Sequence, residues 1–202
     1  RAGSADLRDL IDVLPFGLSE VPPKRHAAAL KGVVPGIGPG DFVCTWFGGI
    51  WDWMDPSALV RGAGQAAARD GRVKLYFTTY RRPSGEVPEM ARKTRDLADR
   101  LGFTGRSVFF GETPVPFDRR ADVLLDSDVG VLAQAPNLET QLSARTRMLD
   151  YLWTDCPVVL TDGDEWADAA KATGFGVVLA DNRPEAWRDA VLDLAGDPAD
   201  PV

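Results

Sequence analysis

From Asp41 onward the chain repeats one alternation, a short uninterrupted apolar run followed by a longer amphipathic stretch. The apolar runs are 41–46 (DFVCTW), 73–79 (VKLYFTT), 106–110 (RSVFF), 128–132 (DVGVL), 157–160 (PVVL) and 175–179 (FGVVL). The stretches at 56–70, 87–101, 118–126, 143–154, 164–173 and 184–195 read as helices. Strands rich in Val, Leu and Phe, without polar alternation, belong to a parallel sheet covered by helices on both faces. Six βα repeats in order predict a doubly wound, Rossmann-like α/β sheet of about six strands. Ligands of such sheets bind at the carboxyl ends of the strands.

The punctuation agrees with that frame. Asp55-Pro56 is a cap followed by a first helical position, and Gly71 and Gly102 stand where helix ends take a left-handed residue. Trp187, Val191 and Leu194 mark one face of the last helix. Residues 1–40 break the pattern. LIDVLPFGL (10–18) reads as a further strand ending in a turn, followed by a Pro- and Gly-rich linker, and 197–202 as an acidic tail. The expected organisation is thus the end of a preceding domain or linker over 1–40, a ligand-binding domain over 41–196, and the tail. The polar opening RAGSADLRDL, without an initiator Met, suggests an excised piece of a longer protein with no signal peptide.

Several function classes are disfavoured. A net charge of −7 argues against a nucleic-acid reader, yet leaves room for an anionic small molecule held by a local arginine cluster. No apolar run approaches the roughly 18 residues of a membrane span, so a cytoplasmic location is expected. Cys44 and Cys156 lie in separate strand regions without metal-site spacing and read as reduced core residues. His26, the one histidine, reads as a surface residue.

Among the short motifs, Gly36-Ile37-Gly38-Pro39-Gly40 precedes a strand and contains a proline without an N–H, so it reads as a turn and not as a dinucleotide fingerprint. Gly62 and Gly64 lie inside the first helix, as small residues for close helix–sheet packing. Gly48-Gly49 follows the first strand, where glycines let the backbone approach a ligand. Trp46 reads as a packing residue, whereas Trp51 and Trp53 fit either a sugar or base pocket or a domain interface. Asp162-Gly163-Asp164 resembles a metal-holding Asp-x-Asp pattern, but Asp164 is a natural N-cap and metal binding is not expected.

The segment SARTRMLDYLWTDCPVVLTDGD (143–164) carries the most chemistry. It places Ser143, Arg145 and Arg147 at the start of a helix, where free N–H groups and the dipole favour a phosphate. Ser143, Arg147, Asp150 and Thr154 form one polar stripe, with Leu142, Leu149, Leu152 and Trp153 facing the core. Two readings stand side by side. One is a solvated face with an Arg147–Asp150 pair. The other is a diphosphate on Ser143, Arg145 and the helix N-terminus, with Asp150 accepting from sugar hydroxyls roughly 10 Å along the axis.

The series PFGL (15–18), FGGIWDWMDPSALVRGA (47–63), VFFGETP (108–114), DVGVLA (128–133) and 143–164 is similar to the C-terminal domain of bacterial GT-B glycosyltransferases of the family 4 (group 1) type. The resemblance runs from PFGL to the last helix and implies the nucleotide-sugar-binding half of a two-domain enzyme. It implies a donor base near Phe110, Gly111 and Glu112, a diphosphate at Ser143 to Arg147, and a ribose-binding acid at Asp150, seven residues before Pro157. The family's paired glutamates would fall on Leu142 and Asp150, so Glu139 stands as the nearest replacement for the first. The loop after the first strand, with Gly48 and Gly49, holds Trp and Asp where the family often has Arg and Lys. More charge then rests on Arg145 or Arg147, with Arg81. The implied donor is a nucleoside-diphosphate sugar with no metal required. The acceptor and the catalytic acceptor-side residues would belong to the N-terminal domain, and peripheral membrane association of the longer protein is compatible with this picture. Rival readings are a nucleotide-sugar epimerase of the same architecture and a sugar-nucleotide-binding module without activity.

Overall fold

The computed structural model describes residues 12, 14 and 16–196. Six strands, β1 (Phe42–Gly49), β2 (Val73–Thr79), β3 (Val108–Phe110), β4 (Val129–Leu132), β5 (Val158–Thr161) and β6 (Gly176–Leu179), form one sheet among the described residues. All pairs are parallel and the order is β3-β2-β1-β4-β5-β6. The helices are α1 (Ser57–Arg69), α2 (Glu89–Arg100), α3 (Arg120–Leu124, entered by a 3-10 turn at Phe117–Arg119), α4 (Leu138–Leu142), α5 (Arg147–Trp153), α6 (Glu165–Thr173) and α7 (Pro184–Ala195). This is the doubly wound Rossmann-like order that the alternation predicts, with its switch point between β1 and β4.

Side chains of the central strands alternate between two cores. Cys44 and Val108 belong to the larger core with Leu59, Phe77 and Trp187. Their neighbours Val43 and Phe109 face a smaller one with Leu30, Ile37 and Val123. Residues 25–40 are therefore docked onto the sheet. Arg25 pairs with Asp126, whose other oxygen accepts from the N–H groups of Ala29 (2.6 Å) and Leu30 (2.9 Å). The N–H of His26 donates to Asp122 (2.6 Å), while its ring stays largely in solvent. Gly36-Ile37-Gly38 is a turn, as expected, with Gly36 at φ +94. The expected strand at 10–18 falls largely outside the described residues. Asp12, Leu14 and residues 16–18 carry no strand, and the tail 197–202 lies outside the described residues.

Three local expectations need correction. The first strand runs on to Gly49, so Gly48-Gly49 close the strand instead of following it. Gly71 is not left-handed, because α1 ends on Asp70 in an extended conformation; Gly102 is left-handed, at φ +69. The helix expected at 143–154 begins only at Arg147, after a connecting segment at 143–146; ahead of that segment stands a separate short helix, α4, which Asn137 caps by accepting from the N–H of Thr140 (2.8 Å). Asp164 is the expected cap of α6, accepting from the N–H of Ala167 (2.9 Å) and from Gln134 (2.7 Å), and Asp162 pairs with Lys171. Among the described residues no helix is long and apolar enough to cross a membrane.

The two helical glycines serve packing, though against other partners than the sheet. A Cβ on Gly62 would lie 2.5 Å from Trp187 Cβ and 2.6 Å from the Pro184 carbonyl, so α1 and α7 touch through bare backbone. A Cβ on Gly64 would enter the Phe103 ring at 2.1 Å. Trp187 is fully buried by this contact, while Leu194, expected on the same face, is partly exposed. Gly62→Ala is expected to cost about 2 kcal/mol through overpacking against rigid backbone, lowering the melting temperature by roughly 4–8 °C. Gly71→Ala, with open space around it, is the matched control in the same thermal unfolding measurement.

Candidate functional site

The site forms where β1 and β4 part. Their pairing stops after Cys44↔Val129 and Thr45↔Gly130. Tyr151 of α5 fills the gap: its hydroxyl accepts from the Phe47 N–H (2.9 Å) and donates to the Thr45 carbonyl (2.8 Å). The fit needs a glycine opposite, since a Cβ on Gly130 would meet the Tyr151 ring at 2.6 Å. Beyond this point β1 pairs only with β2, with an irregular register between Trp46 and Gly49. Gly48, at φ +88, makes that bulge and donates its N–H to Thr78 Oγ1 (2.8 Å).

A cavity of about 370 Å³ opens there. It gathers Gly48, Gly49, Glu139, Ser143, Arg145, Arg147 and Asp150 of the sequence-predicted residues, together with Phe47, Trp51, Trp53, Met54, Ala144 and Thr146. Ser143 ends α4 and Arg145 lies in the connecting turn, so neither starts a helix as expected; Arg147 does. The turn folds around one carboxylate. Glu139 receives both Arg145 Nη1 (2.8 Å) and Nη2 (2.7 Å), and Ser143 Oγ (2.7 Å). Arg145 is nearly inaccessible, and its Nε is buried with no hydrogen-bond partner. Hydrogen bonding from Arg145 holds the Glu139 carboxyl below the usual range.

Arg147 is arranged differently. Its Nη2 donates to the Gly49 carbonyl (3.0 Å), and its guanidinium lies 4.8 Å from the centre of the fully buried Trp46 ring. Nη1 is buried with no partner, and no carboxylate of the described residues pairs with this cation. Burial, opposed by Tyr151 and aided by Arg145, lowers its pKa to about 10. The expected Arg147–Asp150 pair does not form. Asp150 meets Arg120 of α3 at 3.4 Å, and burial raises its carboxyl pKa against that attraction. The expected core face of this helix is also displaced: Leu142 is exposed, Leu149, Leu152 and Trp153 are intermediate, and Met148 and Tyr151 are the buried residues. Once the helix starts at Arg147, its apolar phase is set by 148, 151 and 154.

A second cavity of about 230 Å³ shares Phe47, Gly48, Gly49 and Trp51 with the first and adds Thr78, Tyr80, Arg81 and Arg82. Phe110, Gly111 and Glu112 line neither cavity. Phe110 stacks on Phe77 at 5.1 Å, the Gly111 carbonyl accepts from the Tyr80 N–H, and Glu112 binds Arg81 (3.3 Å) and Arg95 (2.7 Å). They hold the Tyr80–Arg81 wall from behind. A third, largely apolar cavity lies across the 143–146 turn, against Leu142, Leu149 and Trp166. Sequence reasoning missed Tyr151, Arg120 and Arg95. The Asn-Leu-Glu-Thr run at 137–140 was the available signal for the extra helix start.

The sheet and its helices match the C-terminal domain fold of GT-B glycosyltransferases. The likeness includes the C-terminal domain of a group 1 family glycosyl transferase (LpcC) from Francisella tularensis, with a TM-score of 0.58 at 11% identity, over 73% of this chain and 72% of that one. Anabaena HepE, solved in complex with UDP and glucose, gives 0.58 at 15% identity over 75% of this chain and 38% of that one. In sequence, the chain is similar to D-inositol 3-phosphate glycosyltransferase of Rhodococcus opacus, 27% identical over 164 residues, or 81% of this chain. It spans 35% of that relative's length. No protein-family model matches the chain.

The Glu139–Arg145 latch carries a sign for pH. The folded pKa of Glu139 lies below its unfolded value near ~4.3, so the latch's contribution is complete above that value and lost as pH falls through the folded pKa. Glu139→Gln is expected to flatten that acid limb in urea unfolding followed over about pH 3–6. An identical limb in both proteins would count against the latch.

Proposed function

We propose that the chain is the donor-binding domain of a bacterial glycosyltransferase of the family 4 type, taking a sugar from a nucleoside-diphosphate sugar to an acceptor. The observation that carries this reading is Arg147, a buried guanidinium without a carboxylate partner, in one cavity with the buried Arg145. A buried cation lacking a counter-ion costs several kcal/mol, and an anionic ligand recovers that cost. The UDP complex of the structurally similar Anabaena protein and the glycosyltransferase relatives point to a nucleoside diphosphate as that anion.

The chemistry follows from the charges. The acceptor's hydroxyl oxygen bonds to the anomeric carbon, giving its proton to a base on the acceptor side, as the bond from that carbon to the diphosphate oxygen breaks and leaves its electron pair on that oxygen. Negative charge then grows beside Arg145 and Arg147, which stabilise the transition state more than the ground state. Two guanidinium groups supply the positive charge, so no metal is required. Asp150 and Glu139 accept hydrogen bonds from ribose and sugar hydroxyls. In this reading the base occupies the second cavity beside Arg81, and the acceptor with its catalytic residues comes from the rest of a longer, cytoplasmic protein.

Calorimetry with UDP, GDP and ADP tests the reading. The chain is expected to bind one of them, and Arg145→Ala to weaken that binding by about tenfold or more, the value of a charge-assisted hydrogen bond. Arg147→Lys keeps the charge but loses the planar fork and is expected to fall between the two. An affinity for the bound nucleotide that Arg145→Ala leaves unchanged would remove the arginine from the role.

A further inference from the structure

The loop after β1 presents two indoles. Trp51 and Trp53 stack with ring centres 5.9 Å apart and planes 16° from parallel. Trp51 lies flat against Gly49, where a Cβ would sit 3.1 Å from its ring, and Arg82 lies 5.3 Å from its centre. Trp53 remains 46% exposed and lines the cavity of Glu139, Arg145, Arg147 and Asp150. Trp51 lines both cavities, Trp53 only this one.

An exposed indole on a loose loop would be ordinary surface. This loop is pinned on several sides. Ile50 is fully buried and Met54 nearly so. The Met54 N–H closes a turn to the Trp51 carbonyl (3.0 Å), and Met54 bridges Gln134 beyond β4. Asp52 accepts from the Met90 N–H (2.9 Å), anchoring the loop to the first turn of α2. A pinned aromatic surface thus lines the same cavity as these carboxylates and guanidinium groups.

We propose that the Trp51–Trp53 pair is a stacking platform for the pyranose ring of the donor sugar, an inference that rests on the nucleotide-sugar reading above. A pyranose has one face of C–H bonds and a rim of hydroxyls. The C–H face meets the electron-rich indole surface, while the rim reaches Glu139 and Asp150. An uncharged platform of this kind adds nothing to a bare nucleoside diphosphate. Its effect is therefore a preference for the sugar-bearing ligand.

The test compares UDP with UDP-glucose by calorimetry on the whole 202-residue chain, with Trp53→Ala, Trp53→Phe and thermal unfolding of each variant. Trp53→Ala is expected to leave UDP affinity within about twofold and to weaken UDP-glucose about fivefold to tenfold, with Trp53→Phe restoring most of the loss. Equal losses for both ligands, or no loss for either, with binding intact in the unsubstituted chain, would overturn the platform alone. Failure of the unsubstituted chain to bind UDP, GDP, ADP or UDP-glucose would overturn the nucleotide-sugar reading and the platform with it.

Discussion

The Tyr151 hydroxyl, placed between β1 and β4, is the interaction on which the site depends. A parallel strand that leaves its neighbour exposes a backbone N–H and a carbonyl, and burying them unpaired costs about 1–3 kcal/mol each. Tyr151 satisfies both at once, taking the Phe47 N–H and giving its proton to the Thr45 carbonyl. The strands can therefore separate without loss of hydrogen bonding. Gly130 makes room for the ring, and burial holds the phenol in its protonated, donating form. The crevice of a doubly wound sheet exists because strand order reverses there. In this chain one side chain makes that reversal energetically tolerable.

Because Tyr151 fixes α5 against β1, it also fixes what lies one turn earlier. Arg147 comes under the end of β1, reaches the Gly49 carbonyl and covers Trp46. A longer helix entering from Ser143 would have carried Arg145 round the axis and away from Glu139. The break at 143–146 instead lets Arg145 fold back onto the carboxylate of the preceding helix. The two arginines are thus in different electrostatic states within one cavity. Arg145 is neutralised by Glu139, whereas Arg147 has no carboxylate partner among the described residues.

The fold was legible because its signal is long and redundant. Each buried strand is a continuous apolar run, each helix has its own period, and their order alone leads to the observed sheet. The site was legible by residue type and only partly by geometry. Gly48, Gly49, Glu139, Ser143, Arg145, Arg147 and Asp150 do meet, but the late start of α5 was missed, and with it the helix's core face. The Asn137 cap starts a separate short helix that ends at Leu142, so the helical stretch read at 143–154 begins only after the connecting segment at 143–146. Phe110, Gly111 and Glu112 show the opposite case. Their order along the chain pointed to a ligand, while Phe110 stacks on Phe77, the Gly111 carbonyl accepts from the Tyr80 N–H and Glu112 pairs with Arg95. Non-local partners of this kind leave no mark on local sequence.

The exposed Leu142 sharpens what the cavity asks of its ligand. A carboxylate at that position would stand at the end of α4, whereas Glu139 stands one turn earlier and is already bound to Arg145 and Ser143. On the proposed donor-binding reading, an incoming diphosphate competes with Glu139 for Arg145, since one guanidinium fork cannot serve two bidentate anions in the same plane. Two anions side by side also repel, so Glu139 must rotate away as the diphosphate arrives. The released carboxylate then has hydroxyl-bearing groups as its remaining partners in the cavity, and a sugar ring supplies them. On that reading Arg145 would couple the two ends of one ligand, phosphate binding freeing the acid that the sugar requires. A bare phosphate, lacking that second end, has to displace Glu139 without recompense.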